Sequence, residues 1–312
     1  MDKKVSVIGG AGFVGATTAQ RIAEKDLADV VMIDIKEKEG PTKGKALDMQ
    51  QAAPLIKFNA RLKATSDYKA MEGSEIVVIT AGVPRRPGMT REDLLNINTK
   101  IVKEVTEQVV KYAPKAVLIV LTNPLDAMVY VAKKVSGFSK ERVIGQSGAL
   151  DSTRFRTFIA LELGVSMEDV QALVIGGHTD VGMVPLPRYA SVAGVPLTEL
   201  LDASTIEKLV ERTRRGGTEI VELLGEGSAY YAPSAATVAM VESILLDKKR
   251  IIPCSVYLEG EYGIKDLFLG VPVVLGRSGV EKIIELKLDA KEREFFNKAA
   301  QIVRDTVKLV KL

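Results

Sequence analysis

The chain has 312 residues, 46% of them hydrophobic, enough to bury a sizeable core as one large or two ordinary domains. Its 43 basic and 40 acidic residues leave a net charge of only +3, which argues against a nucleic-acid partner, and no apolar run is long enough to span a bilayer. A single cysteine, Cys254, and a single histidine, His178, exclude an internal disulfide and any multi-Cys or multi-His metal site, so no metal is expected.

The N-terminal apolar run stops at Ile8, too short for a signal peptide, and a cytoplasmic location is expected. Val5 to Ile8 reads as a buried strand that runs into Gly9-Gly10-Ala11-Gly12-Phe13-Val14-Gly15. A helical pattern follows, with Ala16, Ala19, Ile22 and Ala23 on one face. Gly10, Gly12 and Gly15 fit G-x-G-x-x-G. Bare backbone there can turn tightly beneath a pyrophosphate, and the helix start offers free N–H groups. Val30 to Ile33 is a second strand, ending at Asp34. A carboxylate at that offset accepts hydrogen bonds from the ribose hydroxyls and repels a 2′-phosphate, which favours NAD over NADP.

The stretch from Gly40 to Ala46 resembles a phosphate-binding P-loop only superficially. Its glycines are too close, and Lys45 is followed by Ala. A helix is expected from there to Pro54, then a short strand from Leu62 to Thr65. Glu75 to Thr80 is a strong strand that ends in Ala81-Gly82. Val83 to Arg91 holds two prolines, a glycine and three arginines and reads as a loop at a strand end, where guanidinium groups suit carboxylate recognition. Asn98 to Tyr112 reads as an amphipathic helix with Ile101, Val102, Val105 and Val109 inward. Ala116 to Leu121 is a further strand, followed by Thr122-Asn123-Pro124.

Alternating strands and helices with phosphate glycines predict a doubly wound parallel sheet. A rival reading uses Gly9, Gly12 and Gly15 as the G-x-x-G-x-x-G of extended short-chain dehydrogenases, with Tyr130 and Lys134 as their Tyr-x-x-x-Lys pair. That pattern needs a Ser or Thr at a strand end, and the residue at the right distance, Thr106, falls inside a helix.

Beyond Gly148 a helix is expected to Leu163, with Gly164 as its stop and with Asp151 and Arg154 on a shared face. Val170 to Ile175 reads as a strand leading to Gly176-Gly177-His178-Thr179-Asp180, where a histidine beside an acid suits proton transfer near neutral pH. Leu197 to Leu224 reads as helical with a bend at Gly216-Gly217. A helix from Tyr230 to Leu246, strands at 253–257 and 271–275, and a closing helix from Lys291 to Val310 complete the chain.

Taken in order, Gly10 to Gly15, Asp34, Arg85 to Arg91, Thr122-Asn123-Pro124-Leu125-Asp126, Leu150 to Arg154 and Gly177 to Asp180 resemble the lactate/malate dehydrogenase family, and within it the lactate-dehydrogenase-like malate dehydrogenases. The resemblance covers essentially the whole chain. It implies an N-terminal doubly wound (Rossmann) NAD-binding domain, residues 1–145, and a C-terminal α+β substrate domain, residues 146–312. It implies NAD bound by Gly10, Gly12, Phe13, Val14, Gly15, Asp34, Asn98, Thr122 and Asn123. His178 is then the proton acceptor and donor, oriented by Asp151. Arg91 polarises the reacting carbonyl, Arg154 clamps the neighbouring carboxylate, and Asn123 contacts substrate.

In the family the loop position of Arg85 looks like Gln in lactate dehydrogenases and Arg in malate dehydrogenases, so the resemblance makes Arg85, or its neighbour Arg86 if the register is shifted by one, the expected specificity residue. A second substrate carboxylate needs a cation, whereas the methyl group of pyruvate would leave a buried guanidinium unpaired at a cost of several kcal/mol. Ala229 stands where lactate dehydrogenases usually carry Thr, so the resemblance implies the same choice of a dicarboxylate. The expected reaction is malate oxidation by NAD, as in the tricarboxylic acid cycle, in a homo-oligomer, tetramer or dimer. A lactate or other 2-hydroxy acid dehydrogenase and a non-catalytic NAD-binding protein are the alternatives. The loop from Arg85 to Arg91 is expected to close over substrate. One departure from the family is an extra residue between His178 and Pro185, expected as a glycine bulge.

Overall fold

The computed structural model describes residues 1–84 and 88–312. Short β-branched runs make the first strands. β1 (Lys4–Ile8), β2 (Asp29–Ile33), β3 (Leu62–Thr65), β4 (Ile76–Ile79), β5 (Val117–Val120) and β6 (Val143–Gly145) lie parallel in the order β3-β2-β1-β4-β5-β6. This is the doubly wound order, with its ligand crevice at the switch point between β1 and β4. Ile8 pairs with Ile79, so these two strands end level and deliver their loops to the same edge.

Helices cover both faces, which is why β4 is buried from end to end. α1 (Phe13–Glu24) turns Ala16, Ala19, Ile22 and Ala23 inward, as their spacing predicts. α2 (Glu39–Ile56) begins ahead of the lysine-rich stretch and keeps Pro54 in its last turn. Pro41 falls in the first turn, where a missing N–H costs no helical bond. α3 (Arg91–Tyr112) starts at Arg91 rather than at Asn98. Thr90 and Asp93 form a reciprocal capping box there, so Arg91 is the first helical residue and not part of a loop. α4 (Leu125–Ser136) follows Pro124 directly.

The second half starts with α5 (Gly148–Leu163), stopped by Gly164 in the left-handed region at φ 65°. The expected strand at 170–175 is two short ones, β7 (Val170–Gln171) and β8 (Val174–Gly176). β9 (Met183–Pro185) pairs antiparallel with β8, while β10 (Ser191–Val192) joins β7 and β11 (Val195–Pro196) in a small separate sheet. α6 (Leu197–Leu200) and α7 (Ala203–Leu224) are divided at Asp202, whose side chain caps α7. The helix runs through Gly216-Gly217 without interruption. α8 (Tyr231–Leu245), β12 (Arg250–Glu259), β13 (Lys265–Gly276), β14 (Gly279–Ile283) and α9 (Ala290–Lys308) complete the chain.

β12 pairs antiparallel with β6 at Ser255 and Gly145, so the parallel sheet runs on through β12-β13-β8-β9. The halves therefore share one hydrogen-bonded sheet and a continuous core. Cys254 is a fully buried residue of β12, and burial pushes its thiol pKa up. No helix among the described residues is long and apolar enough to cross a membrane.

Candidate active site

The glycine turn after β1 packs so closely that its backbone leaves little room for side chains. Gly9 has φ +90°, and a Cβ on Gly15 would lie 2.3 Å from the Gly9 carbonyl oxygen. A Cβ on Gly10 would lie 2.9 Å from Met32 Cβ. Gly12 caps α1 without offering a side-chain acceptor, so the N–H groups of Phe13 and its neighbours face the crevice end of a helix dipole. Val14 is tied to the second half by its carbonyl, which accepts from the Ser234 hydroxyl at 3.1 Å. The Phe13 ring is exposed and stacks on Tyr230, with centroids 5.1 Å apart.

Asp34, at the end of β2, is 8% exposed. Its Oδ2 accepts from the Ala11 N–H at 2.8 Å and its Oδ1 from the Ile35 N–H at 2.9 Å, which locks the carboxylate to the glycine turn and leaves further lone pairs for hydroxyl donors. A bare turn, an open helix start and a fixed carboxylate together fit a dinucleotide. Lys45 is a neighbour that local sequence reasoning misses: its Nζ donates to the Ala11 carbonyl at 2.5 Å from α2. Only the fold brings that cation beside the turn. Gly15→Ala is expected to lower stability by about 1–3 kcal/mol through backbone overpacking and to weaken NADH binding. Thermal unfolding and NADH fluorescence titration check this, and an unchanged melting temperature would refute it.

Across the switch point, the loops after β4 and β5 are joined by side chains. Asn98 is fully buried. Its Oδ1 accepts from the Val83 N–H at 2.9 Å, and its Nδ2 donates to the carbonyls of Val83 (3.1 Å) and Asn123 (2.7 Å). Its amide hydrogens are thus used within the protein, and the residue positions both loops. Thr122 donates to the Ala81 carbonyl at 2.6 Å, and Asn123 is exposed at the end of β5. Arg91 is exposed at the start of α3, and no described hydrogen bond or ion pair links it to the histidine cluster. Arg85 lies outside the described residues, as do Arg86 and Pro87, so the expected closing loop is described only from Gly88 to Arg91.

His178 stands just past β8. Its Nδ1 lies 2.8 Å from Asp151 Oδ2, and its side chain is 14% exposed. Burial works against the imidazolium, but the Asp151 charge and hydrogen bond outweigh it and raise the His178 pKa above its ordinary value of 6.5. Asp151 Oδ1 in turn lies 3.3 Å from Arg154 Nη1, so residues three apart on α5 form one buried chain with the histidine. Arg154 Nε is buried with no hydrogen-bond partner among the described residues. An unsatisfied buried donor is costly, and a ligand carboxylate is the group that suits it. The glycines of α7 make the space: a Cβ on Gly216 would lie 3.1 Å from Arg154 Cδ, and one on Gly217 would lie 3.5 Å from both terminal nitrogens. The pair is a recess for the guanidinium.

The turn after His178 carries its extra length without disturbing the β8–β9 ladder, which stays in regular register from Val174–Pro185 to Gly176–Met183. Gly177 N–H bonds the Gly182 carbonyl at 3.0 Å, and Gly182 and Met183 both donate to the Thr179 carbonyl at 2.9 Å. The extra residue is therefore taken up within a hydrogen-bonded turn that ends at Gly182. The rival short-chain triad does not assemble: the Thr106 hydroxyl bonds Val102 within α3 at 2.6 Å, away from any strand end. No cluster of three or more His, Cys, Asp or Glu among the described residues could hold a metal ion.

Residues 3–145 match the family model for the lactate/malate dehydrogenase NAD-binding domain, and residues 148–311 match that for the lactate/malate dehydrogenase α/β C-terminal domain. A malate dehydrogenase of Bacillus cereus is 56% identical over 308 residues, 99% of this chain and 98% of that protein. The crystal structure of Cryptosporidium parvum malate dehydrogenase superposes with a TM-score of 0.95 at 45% identity, covering 99% of this chain and 98% of that one. A lactate dehydrogenase of the same organism, complexed with lactic acid and NAD, superposes at 0.94 with 42% identity, covering 98% of this chain and 97% of that one. The chain belongs to the lactate/malate dehydrogenase family.

Proposed function

We infer that the chain is an NAD-dependent malate dehydrogenase, catalysing reversible hydride transfer between (S)-malate and NAD to give oxaloacetate and NADH. The observation that carries the chemistry is the buried chain His178–Asp151–Arg154, with its unsatisfied guanidinium nitrogen. Similarity to a malate dehydrogenase over nearly the whole chain supports the substrate.

NAD, when bound, supplies the hydride acceptor. Gly10, Gly12, Phe13, Val14, Gly15 and Asp34 would hold its adenosine and pyrophosphate end, and Thr122, Asn123 and the loops organised by Asn98 its other end. With Nδ1 engaged by Asp151, His178 works through Nε2, which takes the hydroxyl proton in oxidation and returns it in reduction. Asp151 fixes the ring orientation and stabilises the imidazolium. Arg154 clamps the carboxylate next to the reacting carbon, and Arg91 meets the charge that develops on the carbonyl oxygen. Asn123 contacts substrate, and Arg85 takes the distal carboxylate. Several arginines facing a dianion should make substrate capture sensitive to salt.

The test is an initial-rate comparison of oxaloacetate and pyruvate with NADH. Oxaloacetate is expected to be the better substrate, and Arg85→Gln is expected to shift preference towards pyruvate. Faster wild-type turnover of pyruvate would make the enzyme a lactate dehydrogenase.

We place the division between a cofactor half, residues 1–145, and a substrate half, residues 146–312, after β6. A homo-oligomer, tetramer or dimer, is supported by apolar side chains left exposed on α2 and α7, Leu55 at 86% and Leu223 at 81% among them. A cytoplasmic location and a place in the tricarboxylic acid cycle suit the reaction, and a lone buried thiol suits a reducing compartment.

A further inference from the structure

A second buried carboxylate lies beside the histidine. Asp126 sits in the first turn of α4, three positions after Asn123, and is 5% exposed. Its Oδ2 accepts from the His178 backbone N–H at 2.9 Å. Its Oδ1 lies 2.7 Å from the hydroxyl of Ser255, which is fully buried on β12. The residue before the histidine is glycine; a Cβ there would make ordinary contact with Asp126 Oδ2 at 3.4 Å and press on Val303 Cγ2 of α9 at 3.0 Å. One carboxylate thus ties three pieces of chain together: the helix that follows the Asn123 loop, the strand end that carries His178, and the strand that continues the sheet into the second half.

We propose that Asp126 is a positioning residue for His178, fixing its main chain against α4 and adding a second buried negative charge that favours the protonated imidazole. A purely structural tie would need only an acceptor for the His178 N–H and a partner for Ser255. A neutral amide supplies both at lower desolvation cost, since burying an ionised carboxylate is expensive. An ionised side chain has a further consequence at the ring. Among the described residues, the charged groups facing His178 are Asp151 and Arg154 from α5 and Asp126 from α4. The two acids raise its pKa and Arg154 lowers it. Ser255 on β12 and Val303 on α9, which come against the same turn, carry no charge. Burial raises the pKa of Asp126 itself above the ordinary carboxylate value; the Ser255 and His178 N–H bonds and the His178 charge oppose that rise without cancelling it, and the Asp151 charge adds to it. The positive end of α4 favours its ionised form as well. Asp126 therefore acts on the acid–base step without touching the reacting atoms, by placing the ring relative to the Asn123 loop and by holding it protonated.

This inference rests on His178 being the acid–base group, and the test separates the two. Because His178 is the sole histidine, its imidazole titration can be followed by NMR in the intact enzyme without ambiguity of assignment. In Asp126→Asn, which keeps an acceptor for the His178 N–H and a donor for Ser255, the midpoint is expected to fall by about one pH unit. The pH limb of kcat/KM for oxaloacetate should fall with it, while KM for NADH stays unchanged. At a pH above both midpoints this is about a tenfold loss in kcat/KM. Asp126→Glu, which keeps the charge but displaces the carboxylate, should hold the midpoint near the wild-type value and lower kcat. Identical titration of His178 in wild type and Asp126→Asn would overturn the proposal. If Asp126→Asn does not fold, the wild-type enzyme still decides: rapid deuterium exchange of the His178 amide would show that the tie is absent, and slow exchange supports it. A wild-type activity limb that ignores the His178 midpoint would instead sink the assignment of His178 as the acid–base group, while the NMR shift would still decide the role of Asp126.

Discussion

His178→Asn is expected to lower kcat by about 10²–10⁴-fold, the usual contribution of a positioned acid–base group, with the NADH dissociation constant unchanged. Asparagine keeps a donor for Asp151 and much of the imidazole's bulk, so the substitution removes proton transfer more than packing. The residues assigned to the cofactor's adenosine end, from the glycine turn to Asp34, do not touch the histidine. The wild-type pH dependence should follow the same group. Reduction of oxaloacetate needs the imidazolium, so kcat/KM should be flat at low pH and decline as pH rises through the raised His178 pKa. Malate oxidation needs the neutral ring and should decline below that pKa. The raised value also links protonation to folding. Its stabilisation is fully present below the ordinary value of 6.5 and is lost as pH rises through the folded-state pKa. Steady-state rates in both directions and a fluorescence titration of NADH check these outcomes. A variant retaining a tenth or more of wild-type turnover would remove His178 from the mechanism. Absence of turnover in the wild type itself would favour the non-catalytic alternative.

The parts of this site that sequence made legible are those where local pattern and chemistry coincide. Gly10, Gly12 and Gly15 fall between a buried strand and an amphipathic helix, and Asp34 falls at the next strand end, so strand, turn and acid could be placed from spacing alone. Asp151 and Arg154 were legible because three residues make nearly one helical turn. What stayed hidden depends on contacts between distant segments. The bond from the His178 N–H to Asp126 spans 52 positions, and that from Lys45 to Ala11 spans 34. Periodicity carries no information about either. The start of α3 was hidden for a different reason. Thr90-Arg91-Glu92-Asp93 is a capping signal, but the arginines and prolines before it gave the stretch the composition of a loop. Gly216-Gly217 shows a third kind of failure. Low helix propensity suggested an interruption, whereas the helix runs on through both glycines, which make room for Arg154.

Arg154→Lys is expected to lower kcat/KM for oxaloacetate by about 10²–10³-fold, within the range for truncating one partner of a buried charge pair. Lysine keeps the charge but not the planar fork that grips a carboxylate through two parallel bonds. It would also leave the recess at Gly216 and Gly217 partly empty, so its ammonium would not be held where the guanidinium is. Lysine keeps a positive charge on the side of His178 that Arg154 faces, and Asp151 keeps its 2.8 Å bond to the ring, so the pH limb should move little. That separates Arg154 from Asp126, whose replacement is expected to move the limb. The pattern across substrates separates it from Arg85. The carboxylate next to the reacting carbon is common to oxaloacetate and pyruvate, so Arg154→Lys should depress both by similar factors, chiefly through KM. The distal carboxylate belongs to oxaloacetate alone, so Arg85→Gln should depress oxaloacetate and leave pyruvate unharmed or improved. Equal losses on both substrates in Arg85→Gln, or a loss confined to oxaloacetate in Arg154→Lys, would mean that the two arginines have been given each other's roles.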